Sequence, residues 1–162
     1  MSLVRNSLTV FYGPKQITDG GVLDKITASI EKHEDFLVNN DSMEYDPAPQ
    51  SLKFAMAYYR LSDNSPALRQ RLAAEHETFK FSTDIQAMTY GNKPVTDTTV
   101  YLAAYNDMLA DKPFAANNNT MNGDPLEHTA KYATVTYYRN GQHSVQESVK
   151  EGDSFKWNAT NQ

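Results

Sequence analysis

Residues 65 to 79, SPALRQRLAAEHETF, decide how the first half of the chain folds. Ser65 before Pro66 has the form of a helix N-cap followed by proline at the first helical position, where the missing N–H would be unpaired anyway. Leu68, Leu72, His76 and Phe79 then fall on one face at helical spacing. The stretch predicts a helix. It would be the second, because VLDKITASIEKHEDFLV (22 to 38) puts Leu23, Ile26, Ile30, His33 and Leu37 on one helical face behind a capping Asp19.

Extended segments surround these two. SLTVFY (7 to 12) is β-branched and aromatic and stops at Gly13-Pro14. FLVNNDSMEY (36 to 45) reads as a strand interrupted by a polar kink. SLKFAMAYYRL (51 to 61) alternates Leu52, Phe54, Met56 and Tyr58 against Lys53, Ala55, Ala57 and Tyr59, the period of a strand. FKFSTDIQAMTYG (79 to 91) follows as another extended run ending at Gly91-Asn92. Residues 7–36 and 51–79 share a plan: each begins Ser-Leu, passes from strand through turn to helix, and ends His-Glu-x-Phe. An internal duplication of that unit would make residues 7–92 a βαββαβ core, a ferredoxin-like antiparallel sheet with two helices on one face.

Residues 95–114 fit either a strand over 98–105 or a helix capped by Asp97, the helix being the preferred reading; an asparagine-rich exposed loop over 114–128 and a C-terminal β-meander over 130–160 follow. In KYATVTYYRNGQHSVQESV, Asn140-Gly141 has the composition of a type I′ hairpin turn, whose two central residues need positive φ. The predicted register sets Arg139 opposite Gln142, Tyr138 opposite His143, Thr136 opposite Val145 and Tyr132 opposite Val149. A turn at Glu151-Gly152-Asp153 then leads into SFKWNAT as a third strand. The expected fold class is α+β in a single domain over 1–162.

Composition excludes several chemistries. There is no cysteine, which removes thiolate nucleophiles, iron-sulfur clusters and disulfides. A net charge of −5 provides no broad positive field for nucleic acid or an anionic membrane. Arg69 and Arg71 make the densest basic pair, and read as solvated. No apolar run approaches the roughly 20 residues of a membrane span, and the N-terminus lacks a signal-peptide pattern. Compartment is not indicated.

His-Glu-x-Phe occurs twice, at 33–36 and 76–79, in a chain with 4 histidines. A zinc-protease helix needs His-Glu-x-x-His, and the fifth residue is Leu37 in one copy and Lys80 in the other. Paired Glu-x-x-His ligand helices also fail, because neither histidine has glutamate three residues before it. The tetrapeptide reads as the end of one element and the start of the next. No metal or cofactor is implied. Phosphate cradles, dinucleotide fingerprints and nucleophile elbows are absent; Glu44 and Asp46 read as solvated carboxylates. VFYGPK and KFAMAYY are similar to the paired strand motifs of RNA-recognition domains, with Phe11, Tyr12, Phe54 and Tyr58 as stacking candidates. The glycine that should follow the basic residue of the third-strand motif is missing, and the acidic balance opposes RNA.

Two functions fit these observations. One is a non-catalytic binding or assembly module that contacts a protein or extended ligand through a tyrosine-rich sheet face carrying Tyr132, Tyr138 and His143. The other is a small-molecule binder or enzyme on a ferredoxin-like scaffold, with Tyr58, His33 and His76 lining a pocket. Self-association into a homo-oligomer is compatible with either.

Overall fold

The computed structural model describes residue 3, residues 7–61 and residues 67–158. The chain divides into two compact units. The first takes in the described residues up to 61 together with Leu68–Ser82; the second holds Ala67 and the described residues from Thr83 onward.

In the first unit the elements are β1 (Thr9–Tyr12), β2 (Lys15–Gln16), α1 (Gly20–Lys32), β3 (Phe36–Leu37), β4 (Phe54–Tyr59), β5 (Arg69–Ala74) and β6 (Thr78–Phe79). The main sheet runs β2-β1-β4-β5 with every neighbour antiparallel, and β3 pairs with β6 as a separate two-stranded sheet. Asp19 caps α1 by accepting from the Val22 N–H at 3.0 Å. Val22, Ile26 and Ile30 face a core that includes Val10, Tyr12, Ala55, Ala57, Tyr59, Phe79 and Phe81. Ala55, Ala57 and Ala73 contribute the small side chains of that core.

The second unit comprises β7 (Asp84–Tyr90), β8 (Lys93–Pro94), α2 (Thr98–Leu109), β9 (Phe114–Ala115), β10 (Tyr132–Tyr138), β11 (Val145–Lys150) and β12 (Ser154–Phe155). Its main sheet is β8-β7-β10-β11 and its small sheet pairs β9 with β12. The order of elements, the strand order and both pairings repeat those of the first unit.

A true duplication is therefore present, at a different offset from the predicted one. Tyr12-Gly13 corresponds to Tyr90-Gly91, Thr18-Asp19 to Thr96-Asp97, Asn39-Asn40 to Asn117-Asn118, Asp46-Pro47 to Asp124-Pro125 and Lys53 to Lys131. Backbone irregularities repeat as well: the left-handed residues Gly13, His33, Glu44, Gln50 and His76 correspond to Gly91, Asp111, Asn122, His128 and Gly152.

The mixed α+β class with mostly antiparallel sheets holds. The ferredoxin-like core over 7–92 does not, because residues 69–74 form the strand β5. Ser65 and Pro66, read as its cap, lie outside the described residues. Leucine, alanine, arginine and glutamine favour a helix locally, yet pairing with β4 decides otherwise, as tertiary contacts commonly do. Arg69, Arg71 and Ala73 point inward, whereas Gln70 and Leu72 point out. Arg71 is buried rather than solvated: its Nε donates to the Lys80 carbonyl at 3.1 Å, and its guanidinium lies 5.6 Å from the Tyr59 ring centre. The segment after β3 is a polar turn rather than a strand continuing to residue 45.

At the C-terminus, Asn140 and Gly141 both take positive φ as the turn requires. The register differs by one residue: Tyr137 faces Val145, Thr136 faces Gln146 and Tyr132 faces Lys150. The Gln142 N–H closes the turn on the Arg139 carbonyl, and His143 and Ser144 lie outside the ladder, so the two strands do not enter the turn symmetrically. The third strand of the expected meander, β12, pairs with β9 instead of β11.

Candidate functional site

The most organised polar site occurs once in each unit. Lys53 and Lys131 are buried just before β4 and β10. Lys131 Nζ lies 2.8 Å from Asp124 Oδ1, 3.2 Å from Glu151 Oε1, and 3.3 Å from each of the Leu126 and Thr129 carbonyls. Lys53 Nζ meets the corresponding groups: Asp46 Oδ1 at 3.0 Å, Glu75 Oε2 at 3.2 Å, and the Ser51 and Ala48 carbonyls at 3.1 and 3.3 Å. A tyrosine completes each network. Tyr90 OH sits 2.7 Å from Asn118 Oδ1 and 2.8 Å from Glu151 Oε1, and Tyr12 OH donates to Asn40 Oδ1 at 2.7 Å.

Charge within these networks is well compensated. The hydrogen bond that Lys131 donates to Asp124 raises the Lys131 pKa, burial opposes it, and Glu151 adds to the rise. For Lys53 the burial effect is the largest single influence and would lower the pKa, but the bonds to Asp46 and Glu75 together raise it. Asp124 and Glu151 are held below their ordinary values, chiefly by Lys131 and by Tyr90 respectively. Burial, then the neighbouring carboxylate, pushes both tyrosines up. A lysine nucleophile needs a neutral amine with a free lone pair. Each of these is an ammonium among four oxygen acceptors, which suits it to clamping the polar loop before β4 or β10 onto the sheet. The His-Glu-x-Phe repeat does not reveal the clamp residues, because it runs at a different offset from the structural repeat. The dipeptides Tyr-Gly, Thr-Asp, Asn-Asn and Asp-Pro, recurring in the same order, are the signal that finds them.

The sequence-derived site residues are divided between the two units, with His33, Tyr58 and His76 in the first and Tyr132, Tyr138 and His143 in the second. His33 terminates α1 in the left-handed conformation, and His76 takes φ 73 in the turn after β5. Tyr58 lies on the outer face of β4, with its hydroxyl 3.6 Å from Met56 Sδ. Tyr132 is 63% exposed at the start of β10, whereas Tyr138 is buried beside the irregularity between Thr136 and Tyr137. His143 lines a cleft of about 300 Å³ with Arg139, Gln142 and Trp157. A cleft of about 320 Å³ beside β8 and the start of α2 has a smaller counterpart, about 180 Å³, in the first unit. None of these three clefts contains His33, His76 or Tyr58. Among the described residues no group of three or more histidine or acidic side chains is placed to hold a metal ion. No helix among them is long and apolar enough to cross a membrane.

The two units differ on the outer faces of their main sheets. Across β2, β1, β4 and β5 one row reads Gln16, Phe11, Met56, Leu72. The corresponding row across β8, β7, β10 and β11 is Pro94, Thr89, Thr134, Ser148. Leu52, Phe54 and Leu72 are 67%, 55% and 61% exposed. One fold thus carries an apolar outer face in the first unit and a largely hydroxyl one in the second. No protein-family model, curated protein or solved structure matches the chain.

Proposed function

We propose that this protein works as a non-catalytic binding or assembly module, and that its contact surface is the outer face of the first sheet. The observation that carries the reading is the row Phe11, Met56, Leu72, which is Thr89, Thr134, Ser148 in the other copy. The fold does not need apolar residues there. Large side chains left in water where the same scaffold accepts threonine and serine point to a surface kept for a partner. Tyr58 and Phe54 extend it with aromatic area, the residue type enriched where proteins meet. The tyrosine-rich face expected on β10 is reduced to Tyr132 flanked by threonines, so the second unit supports the reading less well than the first.

A photo-crosslinking residue at position 72 tests this, with the same residue at position 148 as control. Capture of protein at 72 but not at 148, lost when Phe11→Thr and Met56→Thr are added, is the expected result. Equal labelling at the two positions, or none at 72, would remove the reading.

A further inference from the structure

We infer that the partner on this face is a second copy of the same chain, packed sheet against sheet about a two-fold axis. The inference rests on the binding reading above and supplies its occupant. Its basis is the electrostatics of the face. The outward residues of the first sheet are Thr9, Phe11, Gln16, Phe54, Met56, Tyr58, Gln70, Leu72 and Ala74, with Leu52 just before β4. None of these carries a charge, in a chain that is 22% charged; the nearest charge is Arg60, exposed just past the end of β4 and next along the line of Phe54, Met56 and Tyr58. In the second unit Lys150 occupies the place of Ala74.

A two-fold contact sets a surface against itself, so each charge on it meets a like charge near the axis. A face whose strands carry no outward charge, with Arg60 only at its margin, escapes most of that cost even though the whole chain carries −5. A partner of opposite charge would instead be met by lysines or carboxylates on the face. The size also fits. Covering Leu52, Phe54 and Leu72 with the partly exposed Phe11, Met56 and Tyr58 removes roughly 500 Å² of mostly apolar surface per copy. Rim residues Thr9, Gln16 and Gln70 bring the contact toward the roughly 800 Å² per partner of a stable interface. Neighbouring strands are about 4.8 Å apart, so Phe11, Met56 and Leu72, directly paired across β1, β4 and β5, form a continuous ridge that face-to-face sheet packing can cover.

Sedimentation equilibrium of the full chain tests this, compared with Phe11→Thr/Met56→Thr/Leu72→Ser. Those three residues are the ones the same fold holds in its second copy. We expect the wild type to be dimeric at about 100 μM and the triple variant to dissociate at least about tenfold more readily. Circular dichroism and melting temperature establish that the variant is folded, and Leu72→Arg alone, at the exposed edge strand, provides a milder second variant. A monomeric wild type at that concentration, or a folded variant with unchanged association, would overturn the inference. A monomeric wild type that still captures a different protein at position 72 would overturn self-association while leaving the binding reading intact.

Discussion

Phe36 lies directly across from Phe79, their rings stacked with centroids 6.5 Å apart and planes 23° from parallel. These are the last residues of the two His-Glu-x-Phe segments. The repeat therefore marks two short strands, β3 and β6, that pair with each other, each entered through a histidine in the left-handed conformation. Truncating Phe36 to alanine removes one side of a buried aromatic pair and should cost about 2–4 kcal/mol, read from urea denaturation. A loss below about 1 kcal/mol would mean that this small sheet contributes little to the first unit.

His76 provides the complementary test. Its φ is 73, and the corresponding residue of the second unit is Gly152 at φ 94. Glycine adopts this conformation without the Cβ penalty, so His76→Gly should leave stability unchanged or raise it by up to about 1 kcal/mol. A marked loss of stability would show that the imidazole holds the turn through contacts that outweigh its backbone strain.

Gly91→Ala should destabilise by about 1–3 kcal/mol, even after the smaller unfolded-state entropy of alanine is counted. A Cβ at this position meets Pro125 Cγ at 2.9 Å and the Lys131 stem at 3.2 Å, on a backbone with φ 55. The equivalent change at Gly13 meets Pro47 Cγ at 3.1 Å and should follow the same direction. Thermal melts of the two variants, compared with an alanine substitution at the open Gly123, measure the effect.

The lysine clamps set the pH dependence. Asp124 and Glu151 have depressed pKa values in the folded chain, so their stabilisation is present above the unfolded values near 3.8 and 4.5 and lost as pH falls through the folded ones. Lys53, Lys131, Tyr12 and Tyr90 are raised, so theirs is present below about 10 and lost as pH rises further. The melting temperature should form a plateau between about pH 5 and pH 9.5 and decline on both sides.

Replacing Lys131 with methionine should invert the acid limb. Asp124 and Glu151 would then face each other without a cation, their pKa values would rise, and mild acid would stabilise the folded chain by discharging them. A lower melting temperature at pH 7 with partial recovery toward pH 5 is the expected pattern. A uniform loss at all pH values would assign the lysine a packing role only.

Helix α1, its Asp19 cap, strands β1, β4, β7 and β10, and the Asn140-Gly141 turn were all legible in the residues, because each depends on local periodicity, capping or turn geometry. The strand at 69–74 was not. Its leucines and alanines fit a helix, and the arginines that alternate with them look solvated until the carbonyls and the Tyr59 ring around Arg71 are in place. The one-residue shift in the last hairpin was equally hidden, because it depends on where β11 begins to pair after the turn.

By itself the sequence determined the mixed α+β class, the absence of thiol chemistry and the capped helix at Asp19, all set by composition or by contacts within a few residues, while the stretch after Asp97 fitted strand and helix alike until the fold made it a helix. Tertiary structure alone decided that β5 is a strand and that Phe11, Met56 and Leu72 form one exposed row. Those outcomes depend on which distant strands pair and in what register. That choice is made by the whole core, since shifting a strand by one residue turns every side chain to the opposite face.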